Sequence, residues 1–134
     1  MIHPEVNCVL VTPEQTVCDV PAEFVALPLF DGELGIAPGR TPLIGRLGCG
    51  ELRIVSHEGT ERYYVEGGFV EVTGAVVNVL TSRAIPAEDI DVAVAEEQLA
   101  TARSLPASTP EAQEARTRAV EVARAQLRVA RRAK

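Results

Sequence analysis

Tryptophan is absent, and the aromatic residues are two tyrosines and three phenylalanines. So few rings cannot build a base-stacking platform or a sugar-binding surface. Lysine occurs once, at Lys134, and the net charge is -6. A freestanding nucleic-acid binder is ordinarily basic, so that class is disfavoured. No stretch approaches the ~20 apolar residues needed to cross a membrane. Met1-Ile2-His3-Pro4-Glu5 lacks a basic region and a following apolar core, so no secretory leader is expected and a cytoplasm-facing chain is. The three cysteines, Cys8, Cys18 and Cys49, are an odd number with no zinc-type spacing. They read as small buried thiols, and a Cys8–Cys18 disulfide is disfavoured in a reducing compartment. His3 and His57 read as surface groups. There is no phosphate-binding P-loop, no nucleophile elbow and no metal-spaced histidine pair, so no catalytic constellation is expected.

What is present divides into two unlike parts. Of 134 residues, 46% are hydrophobic, enough for a core and for one ordinary domain or a small domain with an appendage. Residues 1–86 hold all 10 glycines and seven of the nine prolines. Apolar residues there alternate on a period of two, in Val6–Thr12, Thr16–Val20, Glu23–Leu29, Glu51–Val55, Arg62–Glu66, Gly68–Val72 and Ala75–Leu80. Short strands at close spacing predict an antiparallel β-sandwich or barrel. Gly32–Leu43 is the densest turn element, too rich in proline for a phosphate-cradling loop. Gly67-Gly68, inside strand-like sequence, predicts a bulge or a close backbone approach.

Residues 87–134 lack glycine and switch to a helical period. Ile85-Pro86-Ala87-Glu88-Asp89 reads as a helix start with acids in the first turn. Val92, Ala95, Leu99 and Ala102 form one apolar stripe. Thr109-Pro110-Glu111 reads as an N-cap, a first-turn proline and an acidic first turn. Val120, Ala123, Leu127 and Ala130 form a second stripe. Two amphipathic helices joined by a short polar turn predict an antiparallel hairpin. Its seams are mostly alanine and valine, so each residue buries little and the hairpin is expected to be detachable. Residues 111–134 carry three acids and seven bases, six of them arginine. Arg116, Arg124, Arg128 and Arg131 or Arg132 recur at about one turn. They read either as a solvated face, with Glu114–Arg118 and Glu121–Arg124 pairs, or as an arm for an acidic partner.

Several of these segments together resemble the epsilon subunit of bacterial F-type ATP synthases, in order over nearly the whole chain. Asp31-Gly32-Glu33-Leu34-Gly35-Ile36-Ala37-Pro38-Gly39-Arg40-Thr41-Pro42-Leu43 resembles that family's signature loop, in which a histidine often stands where Arg40 is. Val65-Glu66-Gly67-Gly68-Phe69-Val70-Glu71-Val72 is similar to its Ser-Gly-Gly segment, with Glu66 in place of the serine. Ala87-Glu88-Asp89-Ile90-Asp91 and Ala125-Gln126-Leu127-Arg128-Val129 resemble the start of its hairpin and its last helix.

The resemblance implies an N-terminal sandwich of about ten strands, residues 1–86, and a C-terminal two-helix hairpin, residues 87–134. It implies a non-catalytic rotor subunit at the cytoplasmic face of the bacterial inner membrane. The implied partners are the gamma subunit, the c-subunit ring and the beta subunit, with no nucleic acid, and the membrane is met only through the complex. Glu33 and Arg40 would face the polar loops of the c ring. Arg116, Arg118, Arg124, Arg128, Arg131 and Arg132 would meet an acidic segment of beta if the hairpin extends and inhibits ATP hydrolysis. A helix of ~24 residues spans ~36 Å, enough for that reach. Some members bind ATP through Ile/Leu-Asp-x-x-Arg-Ala. Here Ile90 and Asp91 match, but Val94 replaces the arginine, and Val122 and Gln126 stand where ATP-binding members carry arginine. No cofactor is therefore expected. The competing reading is a β-sandwich adaptor that binds an acidic protein or nucleic acid through its arginine-rich helix.

Overall fold

The computed structural model describes residues 4–132, so His3 and Lys134 lie outside the described residues. Ten strands come first: β1 (Val6–Val11), β2 (Thr16–Ala22), β3 (Phe24–Leu29), β4 (Gly32–Ile36), β5 (Leu43–Arg46), β6 (Cys49–Ser56), β7 (Gly59–Glu66), β8 (Phe69–Thr73), β9 (Val76–Leu80) and β10 (Ala84–Pro86). A 3-10 turn (Ala87–Asp89) leads into α1 (Val92–Arg103) and α2 (Pro110–Arg132).

The strands form two five-stranded sheets, ordered β2-β1-β9-β8-β5 and β10-β7-β6-β3-β4. The two-residue alternation places Cys8, Leu10, Val70, Val72, Val77 and Val79 of the first sheet against Val25, Leu27, Ile36, Leu52, Ile54 and Val65 of the second. Each of these is at most 1% exposed. Fully burying a side chain of this kind contributes about 1.5–3 kcal/mol, so this apolar layer is the main stabilising element. One pairing departs from the antiparallel expectation. β1 pairs with β9 in parallel, Asn7 to Val76 through Val11 to Leu80. A parallel pair needs a long crossover, and here the intervening strands supply it.

Two segments correct the sequence reading. Gly32–Ile36, read as part of a turn, is strand β4, paired with β3 from Val25↔Ile36 to Leu29↔Gly32. Gly35 admits the Phe24 ring, whose Cζ would lie 2.6 Å from a Cβ there, so this glycine serves close packing inside a strand. Ile85–Asp89 does not start a helix. Ala84–Pro86 closes the edge of the second sheet against β7, and Glu88 and Asp89 fall in the 3-10 turn. α1 instead begins after Asp91, whose Oδ1 accepts from the Ala93 and Val94 N–H groups at 2.9 and 3.3 Å. The N-terminal signal of α2 stands as read, with Thr109 Oγ1 accepting from the Ala112 N–H at 3.1 Å.

The hairpin packs through α2 on the outer face of β6 and β7. Tyr64, Ile90, Ala95, Ala125, Leu127, Val129 and Ala130 form a second, smaller core there. Both apolar stripes contribute, but α2 buries a wider face than its single stripe because it meets α1 on one side and the sheet on the other. Its N-terminal half, Gln113 to Arg118, stays exposed.

Candidate interaction surfaces

The outer faces of the two sheets differ. The second sheet is covered by α2, whereas among the described residues neither helix packs closely over the first. The register lines up Arg46, Phe69, Leu80 and Val11 across β5, β8, β9 and β1. Ile44, Glu71, Asn78 and Val9 form the next row. Ile44, Phe69 and Leu80 are 75, 59 and 49% exposed. Phe30, whose N–H donates to the Arg46 carbonyl at 3.0 Å, adds a fourth exposed apolar group beside this face. Only the register shows that Phe69 and Leu80 are neighbours. A contiguous exposed apolar patch rimmed by polar residues marks an interaction surface.

Glu33 and Arg40 are both exposed, but the fold does not bring them together. Glu33 stands opposite Pro28 near the β3–β4 turn and approaches Arg53 at 4.0 Å. Arg40 lies in the loop beyond the other end of β4, beside Phe24, Pro38 and Pro42. Three strand residues, Leu34, Gly35 and Ile36, lie between Glu33 and the start of that loop, four steps or about 13 Å.

The α2 arginines split into two sets. Arg116, Arg118, Arg124 and Arg128 are exposed, and among the described residues none forms an ion pair. Arg118, Arg124 and Arg128 line a cleft of about 750 Å³ between α2 and the sandwich, together with Arg46, Glu66 and Glu121. Arg131 and Arg132 are engaged within the chain. Arg131 Nη2 bonds Glu96 Oε1 of α1 at 3.0 Å, and Arg132 Nη1 lies 3.6 Å from Glu51 Oε1 of β6. Among the described residues no ion pair joins Glu114 to Arg118 or Glu121 to Arg124, the pairs read from spacing.

Ile90 and Asp91 are used structurally: Ile90 is buried in the second core and Asp91 caps α1. Val94 and Val122 line an apolar groove between the helices with Glu97 as a charged neighbour, and Gln126 is buried. A triphosphate would lose charge-assisted bonds worth about 1.5–3 kcal/mol at each missing cation. Titration of the chain with ATP followed by calorimetry should show no saturable binding in the micromolar range; a micromolar dissociation constant would contradict this reading.

Glu66, at the position of the family serine, accepts the Tyr64 hydroxyl at 2.8 Å. Its carbonyl takes the Ser82 hydroxyl at 2.6 Å. Burial pushes the Cys8 thiol up to about 12, with nearby Cys18 adding to the effect, and raises Cys18 and Cys49 as well. These thiols stay protonated and poorly nucleophilic. Among the described residues no cluster of His, Cys, Asp and Glu is placed to hold a metal ion, and no helix is long and apolar enough to cross a membrane.

The geometry agrees with what the chain resembles. The family described as ATP synthase, Delta/Epsilon chain, beta-sandwich domain matches residues 5–87. The chain belongs to this family. It is 54% identical over 126 residues to the ATP synthase epsilon chain of Rhodopirellula baltica, covering 94% of this chain and 98% of that one. Its fold is shared with a chain of the Euglena gracilis mitochondrial ATP synthase, in a structure containing OSCP, F1 and the c-ring. That likeness has a TM-score of 0.83 and 23% identity over 92% of this chain and 80% of the other. A chain of the Tetrahymena thermophila mitochondrial ATP synthase central stalk and c-ring superposes with a TM-score of 0.74 at 13% identity, over 93% and 96% of the two chains. As an epsilon-family member the protein is a non-catalytic subunit of a rotary ATP synthase.

Proposed function

We propose that this subunit works in the central stalk, joining the gamma shaft to the c ring during proton-driven ATP synthesis. The sandwich is the anchor and the hairpin, residues 87–134, is the regulatory part. The supporting observation is the asymmetry of the two sheets: the second is occupied by α2, so the open apolar face around Ile44, Phe69 and Leu80 is the surface left for gamma. Glu33 and Arg40, on exposed backbone of β4 and the following loop, suit polar loops of the c ring, because both side chains bond amide and backbone groups at a wet interface. In this reading the subunit sits at the cytoplasmic face of the bacterial inner membrane, held there through its protein partners.

The hairpin acts as a brake when it leaves the sandwich. Arg116, Arg118, Arg124 and Arg128 lack intramolecular ion pairs among the described residues. Release frees Arg131 and Arg132 to join them against an acidic segment of beta. The test is ATP hydrolysis by the catalytic head, purified without this subunit, as the chain is titrated in. The native chain is expected to lower the rate at least threefold. A variant with Arg116, Arg118, Arg124 and Arg128 changed to Gln should bind gamma and leave the rate unchanged. Equal inhibition by both forms would remove the arginine brake.

A further inference from the structure

The contact that holds α2 down contains an unusual carboxylate. Glu51 lies on the outward face of β6, yet its side chain is only 6% exposed because the end of α2 covers it. One oxygen, Oε1, faces three guanidiniums: Arg62 at 3.1 Å, Arg53 at 3.3 Å and Arg132 at 3.6 Å. The other, Oε2, is buried with no hydrogen-bond partner among the described residues. A second orphan sits on α2 itself, where Gln126 is 4% exposed and its Nε2 has no partner among the described residues.

Docked and released states therefore treat these groups differently. Arg53 and Arg62 belong to the sheet and stay with Glu51 whether or not α2 is present. Only Arg132 leaves with the helix. Release loses one ion pair to Glu51 and the exposed Arg131–Glu96 pair where α1 and α2 separate, together with an alanine-rich apolar seam. It returns water to Glu51 Oε2 and Gln126 Nε2, and an unmade hydrogen bond on a buried polar atom is the costly case. The docked state thus carries two penalties that the released state lacks.

We propose that Glu51 and Gln126 form a poised latch, in which Arg132 fastens the hairpin to the sandwich and the two unpartnered atoms keep that fastening weak enough to open. The inference rests on the hairpin being a movable regulatory element, and it adds the residues that set its balance. Arg132 and Gln126 then have opposite signs: losing the first opens the hairpin, and making the second apolar closes it.

Cys49 supplies the readout. It packs half-buried against the second core, in the cleft beside Glu121 and Val122 of α2. Alkylation of Cys49 in the intact isolated chain, located by mass spectrometry, reports the fraction released. Arg132→Gln and Glu51→Gln should speed labelling about fivefold, the size of one half-exposed ion pair. Gln126→Leu, nearly equal in volume, should slow it several-fold. Raising the salt from 0.05 to 0.5 M, about a threefold contraction of the screening length, should speed labelling of the native chain more than of Arg132→Gln. Arg132 is exposed at the end of α2, so its variant keeps the fold if Glu51→Gln does not. Unchanged labelling in Arg132→Gln, or faster labelling in Gln126→Leu, overturns the latch. Because no ATP hydrolysis is measured, a failed latch with an intact brake is distinguishable from a failed brake.

Discussion

Changing Ile44 and Phe69 together to aspartate abolishes gamma binding by the intact chain while leaving the sandwich folded. Both residues are mostly exposed, so the isolated chain loses no core contact and surface changes of this kind stay within about 0.5 kcal/mol in stability. In the complex both positions are covered. An anchor residue at the centre of an interface is worth about 2–4 kcal/mol on truncation, and placing a carboxylate there adds desolvation. At 1.4 kcal/mol per decade, the pair should weaken binding at least ~100-fold. Calorimetry against gamma gives the affinity, and an unchanged melting temperature of the free chain confirms the fold. Wild-type affinity in the variant would remove this face as the anchor. Glu71→Ala, on the same face between Ile44 and Asn78, serves as a polar control with a change of less than tenfold.

Gly68→Ala is the most destabilising single substitution expected in the chain. Gly68 has φ +108, a backbone conformation that residues with a Cβ rarely adopt. An added Cβ would also run into the Leu80 carbonyl oxygen and stand 2.9 Å from the Thr81 Cα. Both obstacles are backbone, and both belong to the segment that leaves β9. They cannot rotate away as a side chain would. Strain from the conformation costs about 1–3 kcal/mol and overpacking about 1–3 kcal/mol more. Against a total stability of about 5–15 kcal/mol, the melting temperature should fall by about 10 °C or more. Gly74→Ala is the control. Its φ is +55 with open space around the added Cβ, so only the conformational term of about 1–2 kcal/mol applies. Equal losses in the two variants would mean that the contact with Leu80 carries no weight.

The contrast between these glycines shows how far the sequence could be read. The doublet Gly67-Gly68 announced a close approach, but Leu80, twelve residues on, is identified as its object only by the β8–β9 pairing. Alternation found β1, β2, β3 and β6 to β9, but not β5, whose core-facing Leu43 was read as the end of the turn element. It failed at β4, where Gly32 and Gly35 imitate a turn although Gly35 is there for the Phe24 ring. It failed at β10 as well, because Pro86 followed by Glu88 and Asp89 imitates a helix start. The true cap, Asp91, lay two residues past the end of the expected start at Asp89. The arginine-rich helix was legible as a charged arm. Its division was not, since Arg132 finds Glu51 across the whole hairpin and Arg131 finds Glu96 on the other helix. Pairings of that range depend on how α2 lies on the sheet, which no local period encodes. The open face of the first sheet was hidden for the same reason: Ile44, Phe69 and Leu80 are far apart in sequence and adjacent only through register.

The chain is anchored to gamma either by its open sheet face or by its arginine-rich helix. The direct measurement is the affinity of the intact chain for gamma at 0.05 and 0.5 M salt, beside the variant lacking the charges of Arg116, Arg118, Arg124 and Arg128. An apolar sheet-face anchor predicts affinities within about threefold of one another in all four cases, because screening acts on exposed charges and not on buried apolar area. Binding that collapses at high salt or in the arginine variant would contradict it and place the permanent interface on the helix.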